Sequence, residues 1–128
     1  MQNFTGVIIE ESLTDKSVLD EVKIVSTKVE PVTDKHNTPH LEQWTLHTVE
    51  VDFNNADLIA NKLSKVLVGK GDSGYWYADY KNNEVAYIIF LNKIFKIRRG
   101  NSDEFRKAKQ YGVSLGIPEY QVDFSPEW

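Results

Sequence analysis

Apolar and polar positions follow a two-residue period over most of this chain, and the period predicts strands. The densest block is 75–98, YWYADYKNNEVAYIIFLNKIFKIR. In 75–80, Tyr75, Tyr77 and Asp79 fall in one phase, with Trp76, Ala78 and Tyr80 in the other. Aromatic residues suit the half-buried pleated surface of a strand. Lys81-Asn82-Asn83-Glu84 is polar, and asparagine tolerates left-handed backbone angles, so a turn is expected there. The run 85–91, VAYIIFL, is apolar in both phases, which places it in the middle of a sheet with both faces covered. Asn92-Lys93 fits a two-residue hairpin loop into a third strand at 94–98, whose lysine and arginine suit a sheet edge. Together these blocks predict a three-stranded antiparallel meander.

Upstream, 6–13 (GVIIEESL) and 22–32 (VKIVSTKVEPV) read as strands, joined by a polar stretch that forms a loop or a helical turn. Pro31 near the end of the second points to an edge or a terminus. Residues 33–40, polar and containing Pro39, form a surface loop. In 42–53 (EQWTLHTVEVDF), Trp44 and Leu46 share one phase, whereas Val49, Val51 and Phe53 share the other. Such a change implies a β-bulge, or burial of each face in turn.

The period then switches to that of a helix. Asn54-Asn55 supplies an N-cap and Asp57 a first-turn carboxylate. Leu58, Ile59, Leu63, Val66 and Leu67 recur at helical spacing before Gly69. A second helix over 102–112 is signalled by Asn101 with Glu104 three residues on. Phe105, Ala108 and Tyr111 line its inner side and Gly112 ends it. Residues 120–124 (YQVDF) read as a last strand, and 125–128 as a loose tail.

The predicted order is β-β-β-α-β-β-β-α-β: one α+β domain over 1–128 with a mainly antiparallel sheet and two helices. Setting aside the first two strands, and treating 94–98 as a hairpin extension, leaves the ferredoxin-like order β-α-β-β-α-β. That order places both helices on one face; the alternative is a curved sheet wrapped around the 54–68 helix. With both helices on one side, the other face of 85–91 needs a cover. Either the N-terminal strands supply it, or a protein partner does, most simply a second copy in a homodimer.

Composition narrows the chemistry more than it identifies it. The 128 residues include no cysteine, which removes disulfides, thiolate metal sites and cysteine nucleophiles. The start, MQNFTGVIIEES, lacks the basic and apolar regions of a secretory signal. No apolar run approaches the ~18 residues of a membrane span, so a cytoplasmic location is expected. The net charge of −4 weighs against a dedicated nucleic-acid binder.

The passage YGVSLGIPEYQVDF, with WTLHTVEV and YIIFLNKIFKI before it, resembles a family of small prokaryotic proteins with no assigned activity. That resemblance implies no functional residue.

Four constellations carry candidate chemistry. Tyr75, Trp76, Tyr77, Tyr80 and Tyr87 join large apolar bodies to polar tips, as binding surfaces do, although some must be core. His36, His40 and His47, with Glu42 nearby, could ligate a metal, but their spacing matches no compact motif and solvated histidines are the simpler reading. The glycine-rich loop 69–74 follows a helix and enters a strand, the reverse of a phosphate-binding loop, and reads as a connector. Seven basic residues from Lys93 to Lys109 could face nucleic acid, yet no RNA-recognition motif accompanies them and a solvated edge accounts for them. Carboxylates near sheet ends (Asp79, Glu119, Asp123) could serve as acids or bases, as they could in any small domain. The expectation is therefore a non-enzymatic binding or protein-interaction domain using an aromatic sheet face, with no cofactor. The alternative is a small enzyme or metal-binding protein with a site around the histidines.

Overall fold

The computed structural model describes residues 2–31, 43–68 and 76–117. Among these residues six strands form one sheet: β1 (Phe4–Ile9), β2 (Lys23–Pro31), β3 (Gln43–Val51), β4 (Tyr77–Lys81), β5 (Val85–Phe90) and β6 (Lys93–Arg98). Their order across the sheet is β2-β3-β1-β4-β5-β6, and every neighbouring pair is antiparallel. Helix α1 spans Ala56–Val66 and helix α2 spans Ser102–Ser114. The class is α+β, and the described elements follow one another as the periodicity predicts. The last predicted strand, the histidine loop and the glycine-rich loop lie outside the described residues.

The ferredoxin-like arrangement is corrected on two counts. First, β1 is no appendage: it sits between β3 and β4 and joins the two halves of the sheet. Second, the helices lie on opposite faces. Tyr87 and Ile89 of β5 belong to a core with Phe4, Ile8, Val49, Tyr80 and the inner side of α1. Ala86, Ile88 and Phe90, all 0% exposed, belong to a separate core with Ile97 of β6 and Phe105 and Ala108 of α2. Each helix therefore covers one side of β5, so both faces of that strand are buried within the chain. Helical periodicity gives a helix an inner side but says nothing about which face of the sheet receives it.

Smaller corrections follow from register. The bulge lies in β2 rather than β3: pairing slips by one between Ile24 and Ser26, whereas β1–β3 pairing runs unbroken from Phe4↔Val51 to Ile9↔Leu46. The second hairpin turns at Leu91-Asn92, one residue earlier than predicted, with Phe90 opposite Lys93. Asn92 takes the left-handed φ of 60° that the turn requires, and its amide donates to Ser64 O at 2.8 Å. Neither Asn54 nor Asn55 caps α1 with its side chain. Asp52 Oδ1 instead accepts from the Asn54 amide at 2.8 Å, opening a 3-10 turn that runs into the helix. Leu58 points outward, 52% exposed. In α2, Asn101 Oδ1 accepts from the Glu104 amide at 3.2 Å as the capping signature predicts. Gly112 does not end that helix. Gly116, at φ 93°, closes a Schellman motif: Ile117 N donates to Gly112 O and Gly116 N to Val113 O.

Two 3-10 segments, Glu10–Ser12 and Lys16–Glu21, connect β1 to β2 and strap the end of α1. Thr14 N donates to Val66 O at 2.7 Å and Val68 N to Ser12 O at 2.8 Å, while Val18 and Leu19 are buried against the α1 core.

Candidate functional site

Among the described residues the α2 core extends as far as Tyr77 of β4, and beyond it on that side of the sheet the surface of β1 and β3 carries a different chemistry. Antiparallel register sets Thr48, Val7 and Asp79 side by side across β3, β1 and β4, and Glu50, Thr5 and Lys81 in the next row. Paired residues share a face, so both rows lie opposite α1. Asp79 also pairs with Ile88, which is fully buried beneath α2. Its half-buried carboxyl thus stands where the apolar cover stops. An open cavity of about 450 Å³ begins there, lined by Asp79, Lys81, Arg99, Thr5, Thr48 and the polar residues Gln2, Asn3, Asn82 and Asn83.

Gly6 makes the floor of this cavity possible. A Cβ at Gly6 would stand 2.5 Å from Tyr80 Cα and 2.6 Å from Tyr80 Cβ, and closer still to the Asp79 carbonyl oxygen. Only a residue without a Cβ lets β1 approach β4 so closely.

The rim is the β4–β5 turn. Buried Asn82 accepts at Oδ1 from the amides of Glu84 and Val85, each at 2.8 Å, and donates from Nδ2 to Gln2 O at 3.0 Å. Arg99 Nη1 donates to Asn82 O at 3.0 Å, which holds the guanidinium at the cavity wall.

Electrostatics distinguish this carboxyl from the others. Burial pushes the Asp79 pKa up to about 7, against the opposing pull of Lys81 and of a hydrogen bond from the Val7 amide. Burial lowers the Lys81 ammonium below its usual value, with Arg99 adding to the effect and Asp79 opposing it. The site joins a carboxyl that exchanges its proton near neutrality to two cationic side chains. It can receive an anionic group, and it can hydrogen-bond to one through protonated Asp79.

The predicted aromatic set does not converge. Trp76, Tyr80 and Tyr87 are buried on the α1 side; Tyr77 packs on the α2 side against Phe90; Tyr75 lies outside the described residues. The Tyr80 hydroxyl donates to Ala56 O and the Tyr87 hydroxyl to Asp57 Oδ1, so the polar tips are taken up in anchoring α1. Burial raises the pKa of both phenols.

His47 is buried, with Nδ1 2.9 Å from Thr27 Oγ1 and Nε2 3.2 Å from Glu10 Oε1. His36, His40 and Glu42 lie outside the described residues, among which no cluster of three potential metal-ligating side chains occurs. The basic run divides. Lys96 pairs with Asp57 on the α1 side, Arg106 with Asp103 on α2, and only Arg99 reaches the cavity.

Sequence reasoning names Asp79 as one carboxylate among several. The signal it contains is a charged residue inside a strand, between Tyr77 and Tyr80. Lys81 lies in the same phase, but Arg99 and Thr48 join only through tertiary pairing.

No family model matches this chain, and no curated protein or solved structure matches it significantly.

Proposed function

We propose that this chain is a non-enzymatic binding domain whose ligand occupies the cavity at Asp79, and that the ligand is a small polar molecule bearing an anionic group. The observation that carries the reading is the convergence of Lys81 and Arg99 on one open cavity beside a half-buried carboxyl. Arg99, held by Asn82, presents a planar donor fork suited to a carboxylate or phosphate. Protonated Asp79 adds a hydrogen bond to such a group, whereas ionised Asp79 repels it, so affinity falls as pH rises through about 7. The reading moves the binding surface from the aromatic residues, which anchor the two cores, to the polar end of the same strand.

The test is calorimetric titration with succinate, which carries at least one carboxylate at both pH values, and with inorganic phosphate, at pH 6 and pH 8. Succinate is expected to bind more tightly at pH 6, and Arg99→Ala to weaken either ligand about tenfold or more. Absence of binding by both ligands at both pH values would sink the proposal.

A further inference from the structure

β2 lies at one end of the sheet, and among the described residues β3 is its neighbour there. Eight of its nine residues are exposed, including the apolar Ile24 (43%), Val25 (58%) and Val29 (53%). Among the described residues no strand pairs with its other edge, and an extended edge strand with exposed branched side chains is a template for another strand.

We infer that β2 pairs edge to edge, antiparallel, with the β2 of a second copy of this chain. The occupant follows from the strand's own symmetry. An isologous antiparallel pair places one residue on the two-fold axis and matches residues on either side of it. With Thr27 on the axis, Ser26 meets Lys28 of the second copy. Beyond Ser26 the bulge at Val25 inserts its extra residue, just as it does against β3. The next pairs are therefore Ile24 with Val29 and Lys23 with Glu30, each made twice.

These pairs agree in face as well as in chemistry. Ile24, Thr27 and Val29 lie opposite Val49, His47 and Thr45 of β3, in one phase; Lys23, Ser26, Lys28 and Glu30 lie opposite Glu50, Thr48, Leu46 and Trp44, in the other. Apolar side chains thus meet apolar ones on one face, and ammonium meets carboxylate on the other. Without the bulge, Lys23 would face Pro31 and Ile24 would face Glu30. A bulge and lysines usually discourage edge pairing; here the bulge brings the complementary residues into line.

The consequence is a continuous sheet through two copies, with both Asp79 cavities left outside the interface. Nine residues per strand bury little area, so a reversible dimer is expected rather than an obligate one.

Sedimentation velocity over a dilution series from micromolar to near-millimolar protein tests the association, with circular dichroism to establish folding of each variant. Lys23→Glu sets carboxylate against carboxylate across the axis, and Glu30→Lys sets ammonium against ammonium. Each alone is expected to weaken the dimer about tenfold or more. Mixed in equal amounts, the two folded variants are expected to associate again, because the acidic edge of K23E matches the basic edge of E30K. A strict monomer throughout, a dimer indifferent to both substitutions, or variants that fail to re-associate on mixing would each overturn the inference.

Discussion

Gly6 and Asp79, one strand apart, decide the character of the cavity for different reasons. At Gly6 the constraint is backbone against backbone, so a methyl group has no flexible neighbour to push aside. Gly6→Ala is expected to cost about 3 kcal/mol or more, at the top of the range for overpacking, and to open the β1–β4 ladder. Gly100→Ala, with nothing within 4 Å of its Cβ, should stay within roughly half a kcal/mol of the parent. Urea denaturation of the two variants measures the contrast; equal midpoints would show that β1 and β4 are not so close. The hydroxyls of Tyr80 and Tyr87 make the complementary point. Their polar tips, which suggest a binding surface when read along the chain, are consumed by Ala56 and Asp57.

At the scale of elements, β5 is the shared wall of two cores. Its odd residues serve α1 and its even residues serve α2, so adjacent side chains answer to different helices. Ile88→Ala and Ile89→Ala each remove a fully buried side chain and should each cost ~2–5 kcal/mol. Where they act should differ. Hydrogen exchange is expected to show lost protection in α2 for Ile88→Ala and in α1 for Ile89→Ala, before global unfolding equalises them. Identical exchange patterns would mean that the two cores are one. The hairpin turns belong to this scale too. Asn92 docks on Ser64 and Asn82 on Gln2, so each turn is fixed by an element distant in sequence.

For the molecule as a whole, the carboxyls pull stability in opposite directions as pH changes. Asp79 has a raised pKa in the folded state, so folding favours its proton. Its contribution is complete below about pH 4 and is lost as pH rises to about 7. Glu10, bonded to His47, and Asp57, bonded to Tyr87, are depressed below ordinary carboxyl values. Their contributions are present above those values and are lost as pH falls. Asp79→Asn removes the first trend alone. The variant should gain on the parent between about pH 4 and pH 7, by roughly 1–2 kcal/mol after allowance for partial solvent access, and the difference should be level above that. Thermal melts across this range check it; a constant difference would show that Asp79 titrates as an exposed carboxyl. No helix among the described residues is long and apolar enough to cross a membrane.

The linear sequence by itself determined what depends on near neighbours. The alternation that makes β4 a strand, the apolar run that makes β5 one, the spacing that makes α1 and α2 helices, and the Asn101 cap are local matters, settled over a few residues of chain. Pro31 and the basic residues of 94–98 marked the strands at the two ends of the described sheet for the same reason: their backbone and charge restrictions act where they stand. Tertiary structure decided the rest. Which face of β5 each helix covers, the insertion of β1 between β3 and β4, and the slip at Val25 all depend on partners many residues away. The cavity follows from those choices: Thr48, Asp79 and Arg99 meet because three strands and a turn are in register, and the Asp79 proton is held because the fold buries that carboxyl. Periodicity records whether a side chain is inside or outside its element, whereas burial of a charge depends on what the rest of the fold lays over it.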